Sequence, residues 1–249
     1  MKRVLAIETS AETCSVALEI GGEMRETFEH APMKHAELIL PAVTSLLNEA
    51  GIRAADLDAI AFGRGPGSFT SLRIGIGVVQ GLAWGADVPV VPVSSLAAVA
   101  QGATIQAGAS FAERGPGHSL REFRDDDPSV TASIQIVVAM DARMGEVFHG
   151  TFAVGEDGIV LAAGDELVSA PSAVAVEGEW IAAGNGFERY EELAALAQSA
   201  EACLPDCWPR ASAVLRLATK WLGDNDPLPA HLAQPVYIRN DVAKKPVNM

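Results

Sequence analysis

The residues best placed to do chemistry form one run, Gly63-Arg64-Gly65-Pro66-Gly67-Ser68-Phe69-Thr70-Ser71-Leu72-Arg73-Ile74-Gly75, a glycine-rich stretch leading into a helical pattern. Free backbone N–H groups and the helix dipole favour an anion at such a junction, with Gly65, Gly67 and Ser68 as the phosphate-loop candidates and Ser68 as N-cap. The same residues equally describe a tight structural turn, in which glycine only lets two backbones approach closely. The run is neither a Walker loop nor a dinucleotide fingerprint, since it has no Gly-Lys-Ser/Thr and no Gly-x-Gly-x-x-Gly.

Other chemistries find less material. A metal needs converging imidazoles or thiolates, but His30, His35, His118, His149 and His231 are scattered, and the five-residue spacing of His30 and His35 suits neither a helix face nor a strand. Cys14, Cys203 and Cys207 form neither a disulfide framework nor a zinc pattern. Serine hydrolysis lacks a Gly-x-Ser-x-Gly elbow and a histidine with a recognisable acid. Asp141 and Glu146 could be paired carboxylates, but their spacing in a hairpin reads more simply as a solvated turn.

The elements that must position these residues follow from apolar periodicity. Val4–Ile7, Ser15–Ile20 and Glu23–Glu29 read as strands, the last two joined by Gly21-Gly22. Ala36–Ala50 places Ile39, Leu40, Val43, Leu46 and Leu47 at helical spacing and ends at Gly51, with Pro41 arguing for a late start or a bend. Leu57–Phe62 and Val88–Val93 are strands, the second leading into Ser94 and Ser95 as caps, and Phe69–Trp84 is a helix. From Ile134 the strand pattern restarts through Glu146–Phe152. Helices are then expected over Tyr190–Ala202 and Ser212–Trp221, and a closing strand over Val236–Arg239.

The order βββαβαβα, repeated less regularly, predicts a two-lobed α/β protein of the actin, Hsp70 and sugar-kinase (ribonuclease H-like) kind, with mixed sheets and flanking helices. The expected divisions are a first lobe over residues 1–101, a flexible insertion over 102–133, where Gly, Ser and Pro rise, and a smaller lobe over 134–249 whose last segment packs back on the first. In that architecture Glu8, Thr9 and Ser10 sit where the first phosphate loop would lie, with the acid near a hydrated magnesium. Against a working ATPase, Glu8 is longer than the usual Asp, no lysine stands nearby, and no adenosine motif follows.

The helix over Phe69–Trp84 has two faces. Phe69, Leu72, Ile76, Val79 and Ala83 are expected against the sheet, while Arg73, Gly77, Gln80, Gly81 and Trp84 share another side. Glycine costs about 1 kcal/mol in a helix interior, so Gly77 and Gly81 need a packing reason, either within the chain or against a partner. Ile39, Val43 and Leu46 could join that surface or serve the core.

The glycine run resembles the signature shared by the TsaB and TsaD branches of the glycoprotease-like family, whose usual TsaB form has Gly in place of Ser71. Leu5–Ser10, Cys14–Ala17, His35–Pro41, Ala139–Val147, Ala183–Gly186, Pro209–Ala211 and Pro235–Arg239 resemble further TsaB segments in order. TsaD carries two metal-binding histidines four apart after the equivalent of Val88–Val93, where this chain has Ser95 and Val99. The resemblance therefore implies a catalytically degenerate paralogue with no cofactor. It also implies a partner subunit that docks on TsaD through first-lobe helices, is joined by TsaE, and pairs with itself when alone. The expected task is support of threonylcarbamoyl transfer to the adenosine beside the anticodon of tRNA, with a nucleotide-binding ATPase or sugar-kinase-like enzyme as the alternative.

The chain has 249 residues and a net charge of −14, from 18 Lys+Arg against 32 Asp+Glu, which argues against direct nucleic-acid binding. The basic pairs Lys2-Arg3 and Lys244-Lys245 are too small for a groove. The opening apolar run is too short for a signal segment and no stretch approaches the roughly 20 apolar residues of a membrane span, so a cytoplasmic protein is expected.

Overall fold

The computed structural model describes residues 2–113 and 134–239. Its first sheet contains β1 (Arg3–Glu8), β2 (Thr13–Ile20), β3 (Glu23–His30), β4 (Ala59–Gly63) and β5 (Val90–Val93), in the order β3-β2-β1-β4-β5. β1, β2 and β3 are antiparallel, whereas β4 and β5 run parallel to β1. Gly21 and Gly22 close the β2–β3 hairpin with φ of 61° and 92°, the left-handed conformation that a two-residue hairpin turn demands.

The second sheet repeats the scheme. It contains β6 (Gln135–Asp141), β7 (Val147–Val154), β8 (Val160–Ala162), β9 (Leu167–Ser169), β10 (Trp180–Ala183) and β11 (Ala202–Leu204). The order is β11-β10-β6-β7-β8 with β9 also on β7, and again one hairpin feeds parallel neighbours.

Alternation along β1 assigns its faces. Leu5 and Ile7 meet helices α1 (His35–Ala50) and α2 (Phe69–Ala86), while Val4 and Ala6 meet α6 (Ala211–Asp224) through Val214, Leu215 and Ala218. In the second sheet, Ile136 and Val138 pack under α3 (Ser95–Glu113), and Val137 and Ala139 pack with Trp180 and Phe187 near α4 (Gly186–Arg189) and α5 (Glu191–Leu196). The lobes thus exchange covers, with α3 from the first half of the chain on the second sheet and α6 from the second half on the first.

Several expectations need correction. Helix α1 begins at His35 and runs through Pro41, whose ring is solvent-exposed, so the helix tolerates its one missing N–H. Ile39, Val43 and Leu46 are buried in the core and unavailable to a partner. Residues 102–113 are not a loop but the end of α3, where Ala103 and Ala107 are fully buried; tertiary burial and alanine's helix preference outweigh the absent amphipathic period. Residues 114–133 lie outside the described residues, as do His118 and the Lys244-Lys245 pair. Tyr190–Ala202 is not one helix but α5, a 3₁₀ turn and the start of β11. Val236–Arg239 is no strand, since among the described residues only the Val236 N–H meets a neighbouring backbone, at Arg64 O, 2.8 Å.

Docking of α6 depends on Glu26 of β3. Its carboxylate accepts hydrogen bonds from Arg210 (2.8 and 3.1 Å), from the Ser212 N–H (3.0 Å) and from the Ser15 hydroxyl (2.9 Å). Burial alone would raise its pKa, but these bonds to the anion outweigh burial and hold it below the usual carboxylate value. A depressed acid contributes stability above its unfolded pKa that is lost as pH falls through the folded one. Glu26→Gln should therefore cost about 1–2 kcal/mol at neutral pH, Arg210 being partly solvated, and the deficit should shrink toward pH 3. Urea unfolding across that range checks both.

Candidate functional site

Glu8 ends β1 with no exposed surface. Its Oε1 accepts the Ser10 N–H at 2.6 Å and its Oε2 accepts the Ser95 hydroxyl at 2.9 Å. Burial pushes the carboxyl pKa up, and the hydrogen bonds from Ser10, Ser95 and Thr9 pull it partly back. Both oxygens are therefore engaged by the chain itself. Thr9 Oγ1 donates to Ser71 O at 3.0 Å, and the Ser68 N–H donates to Ser10 O at 2.7 Å, so the β1–β2 turn and the glycine run are bonded directly to each other.

The glycines serve that closure. A Cβ on Gly63 would lie 1.9 Å from Glu8 Oε2, one on Gly67 would lie 2.3 Å from Ser10 O, and one on Gly75 would lie 2.2 Å from Thr9 Oγ1. Of the two readings of this run, the tight turn accounts for each close approach with atoms of the chain. Gly65, at φ 95°, is the fourth such position: an added Cβ would lie 2.9 Å from Leu72 Cδ1 and 3.1 Å from the Val236 carbonyl oxygen. Ser68 occupies the N-cap position of α2, but its hydroxyl accepts from Ser71 Oγ at 3.0 Å instead of capping the helix.

Between the lobes lies a cleft of about 820 Å³, within the size range of small-molecule sites. Ser10, Gly67 and Ser68 line it, together with Val99, Met140, Trp208 and Arg239, whereas Glu8, Thr9 and Gly65 do not. Ser95 and Val99 both border the cleft, but the Ser95 hydroxyl is spent on Glu8 and a valine side chain has no coordinating atom, so these two positions offer no ligand pair. His35 Nε2 sits 3.1 Å from both Ala11 O and Thr13 O, fixing the turn after β1. Among the described residues no three His, Cys, Asp or Glu side chains converge on a metal position. His149 Nε2 lies 3.0 Å from Ser169 Oγ, but no carboxylate among the described residues orients the ring, and burial lowers its pKa.

Asp141 corrects the reading of a solvated turn. Its side chain is 4% exposed and accepts Tyr190 OH at 2.7 Å and the Arg143 N–H at 3.0 Å, with the Arg143 and Arg189 guanidinium groups at 3.5 and 3.4 Å. Tyr190 and Arg189 come from a helix pair more than forty residues downstream, a juxtaposition that local spacing does not reveal. Glu146 is held by Arg239.

Helix α2 presents a contrasting face. Arg73, Gly77, Gly81, Trp84 and Gly85 are exposed, and Trp84 retains 75% of its surface. An added Cβ at Gly77, Gly81 or Gly85 meets nothing within 4 Å, so no contact among the described residues explains these glycines. Gln80 is half-buried, its amide donating to Ala233 O at 2.7 Å. Leu72, Ile76, Val79 and Ala83 face the sheet as expected, but Phe69 is 46% exposed and packs on Tyr237.

The fold and site define a two-lobed actin-like α/β protein in which the turn after β1 and the glycine run close on each other. Residues 29–114 match the family model of TsaD, the tRNA N6-adenosine threonylcarbamoyltransferase. The tRNA threonylcarbamoyladenosine biosynthesis protein TsaB of Escherichia coli K12 is 36% identical over 98% of this chain and 97% of its own length. TsaB of Haemophilus influenzae is 41% identical over 58% of this chain and 51% of its own length. Among solved structures, YeaZ from Pseudomonas aeruginosa superposes with a TM-score of 0.78 at 38% identity, covering 95% of this chain and all of that one. The chain belongs to the TsaB family of tRNA threonylcarbamoyladenosine biosynthesis proteins.

The two sets of glycines should respond oppositely to a methyl group. Gly63→Ala and Gly67→Ala should each destabilise by about 2–3 kcal/mol through overpacking. Gly77→Ala and Gly81→Ala should each stabilise the isolated chain by about 0.5–1 kcal/mol through helix propensity. Chemical denaturation of the four variants tests this, and equal signs would contradict it.

Proposed function

We propose that this chain is a non-catalytic partner subunit that supports threonylcarbamoyl transfer by TsaD to the adenosine beside the tRNA anticodon. The observation that carries the proposal is the α2 face, where Gly77 and Gly81 have open space and Trp84 stands exposed. Glycines inside a helix cost stability, and close approach of a second helix is the return that such a stripe offers. Arg73 and Trp84 are the anchors of this docking surface, tryptophan and arginine being the types that dominate interface energetics. Helix α1 packs beside α2 and adds exposed Leu40 to the same lobe.

TsaD is the partner in this reading, TsaE joins the pair, and in TsaD's absence a second copy covers the face. The first phosphate loop supports a non-catalytic role, since Glu8, Ser10 and Ser95 satisfy one another there. The chain then acts by favouring a competent state of TsaD. With a net charge of −14 it leaves tRNA contacts to its partners. The work is set in the cytoplasm.

A second reading has one observation behind it. The interlobe cleft is large enough for a nucleotide, which keeps a sugar-kinase-like or ATPase activity in view. Titration of the isolated chain with magnesium ATP into the millimolar range separates the two: saturable binding with turnover would displace the subunit reading.

The main test reconstitutes the modification from TsaD, TsaE, the adenylate-forming enzyme, threonine, bicarbonate, ATP and tRNA. Product should depend on this chain, and Gly77→Arg or Gly81→Arg should weaken TsaD binding at least tenfold in calorimetry while leaving the urea midpoint of the free chain near that of the parent. Undiminished product without the chain would refute the role, and intact binding by both arginine variants would refute the surface.

A further inference from the structure

After the last helical turn near Leu232, the chain crosses from one lobe to the other within four residues. The Val236 N–H donates to Arg64 O at 2.8 Å, fastening it to the glycine run. The Tyr237 ring packs on Phe69 with centroids 5.3 Å apart, and its hydroxyl accepts from Arg73 Nε at 3.0 Å. The Arg73 guanidinium itself lies 3.8 Å over the Phe69 ring. Ile238 packs against the second core, and Arg239 reaches the β6–β7 turn, donating to Ala142 O at 2.9 Å and pairing with Glu146. All four residues line the interlobe cleft.

Arg73 belongs to two systems at once, as an exposed side chain on the α2 docking face and as the donor that holds Tyr237. We propose that Val236–Arg239 is a strap linking occupancy of α2 to the opening of the interlobe cleft. A partner that draws Arg73 away removes the donor from Tyr237 and loosens the first-lobe end of the strap, which frees the lobes to separate. The inference rests on the docking reading above and adds its regulation.

Two features make the strap releasable. It has no strand pairing beyond the single Val236 bond, so freeing it breaks no ladder. Arg239 Nε is buried without a hydrogen-bond partner, which makes the clasped state less favourable than its other contacts suggest. Further contacts join the lobes, among them Arg143 with Glu12 at the cleft rim, Lys220 with Asp157 at 3.0 Å, Ser94 with Glu166, and the His30 ring with Trp208, but none of these involves α2. The strap is the segment that carries a side-chain bond of that helix into the lining of the cleft.

Electron–electron resonance on the full chain tests the link. Spin labels would be placed at Glu23→Cys on β3 and Glu188→Cys on α4 in a Cys203→Ser background, Cys14 and Cys207 being buried. Saturating TsaD should move the distance distribution to longer values. Tyr237→Phe, which keeps the ring and removes the acceptor, and Arg239→Ala should produce that shift in the free chain and bind TsaD about fivefold tighter, the closed state no longer competing. Unchanged distances in both variants, or on saturation of the parent with TsaD, would overturn the proposal. Should Arg239→Ala fail to fold, Tyr237→Phe decides alone. If calorimetry detects no TsaD binding by the parent, the docking reading falls, and the free-chain distances then judge the clasp separately.

Discussion

The structure depends on a carboxyl group with no access to water. Glu8 ends the central strand of the first sheet, and an isolated buried carboxylate would cost several kcal/mol. Two donors relieve that cost, and they come from different parts of the chain: the Ser10 backbone and the Ser95 hydroxyl. Ser95 is the first residue of α3, the helix that covers the second sheet. One buried acid thus fixes the turn after β1, forces glycine at position 63, and sets the origin of the element that crosses between lobes.

This arrangement consumes the chemistry that the residue types advertise. A phosphate loop needs donors facing a void, but here the Ser10 N–H faces Glu8 and the Ser68 N–H faces Ser10 O. Asp141 in the second lobe shows the same economy, its oxygens shared among Tyr190, Arg143 and Arg189. What remains open is the cleft beyond these groups, lined largely by apolar side chains and by the strap.

The sequence made the local features legible and concealed the distant ones. Gly21-Gly22 and Gly51 announce a hairpin and a helix end because the left-handed backbone they adopt is a property of glycine itself. The same logic found α2 and its glycine stripe. It failed for Phe69, whose spacing groups it with Leu72 and Ile76 but whose place in the first turn lies beyond the sheet, where Tyr237 covers it. The end of α3 escaped because its small and apolar residues fall on all sides of the helix and leave no amphipathic period to detect. Ile39, Val43 and Leu46 were ambiguous for a related reason: an apolar stripe does not say whether its cover is its own sheet or another chain.

The glycines of α2 carry the remaining step. Those of the loop are compelled, since a methyl group on Gly63, Gly67 or Gly75 would meet Glu8, Ser10 or Thr9. Among the described residues nothing compels Gly77, Gly81 or Gly85, and the first two, in the helix interior, each cost about 1 kcal/mol relative to alanine. A cost left unreturned within the monomer asks for a return outside it, and an exposed tryptophan on the same helix sharpens the point. Under the docking reading proposed above, Arg73 makes the helix more than a passive platform, because the same exposed guanidinium donates to Tyr237 of the strap over the cleft.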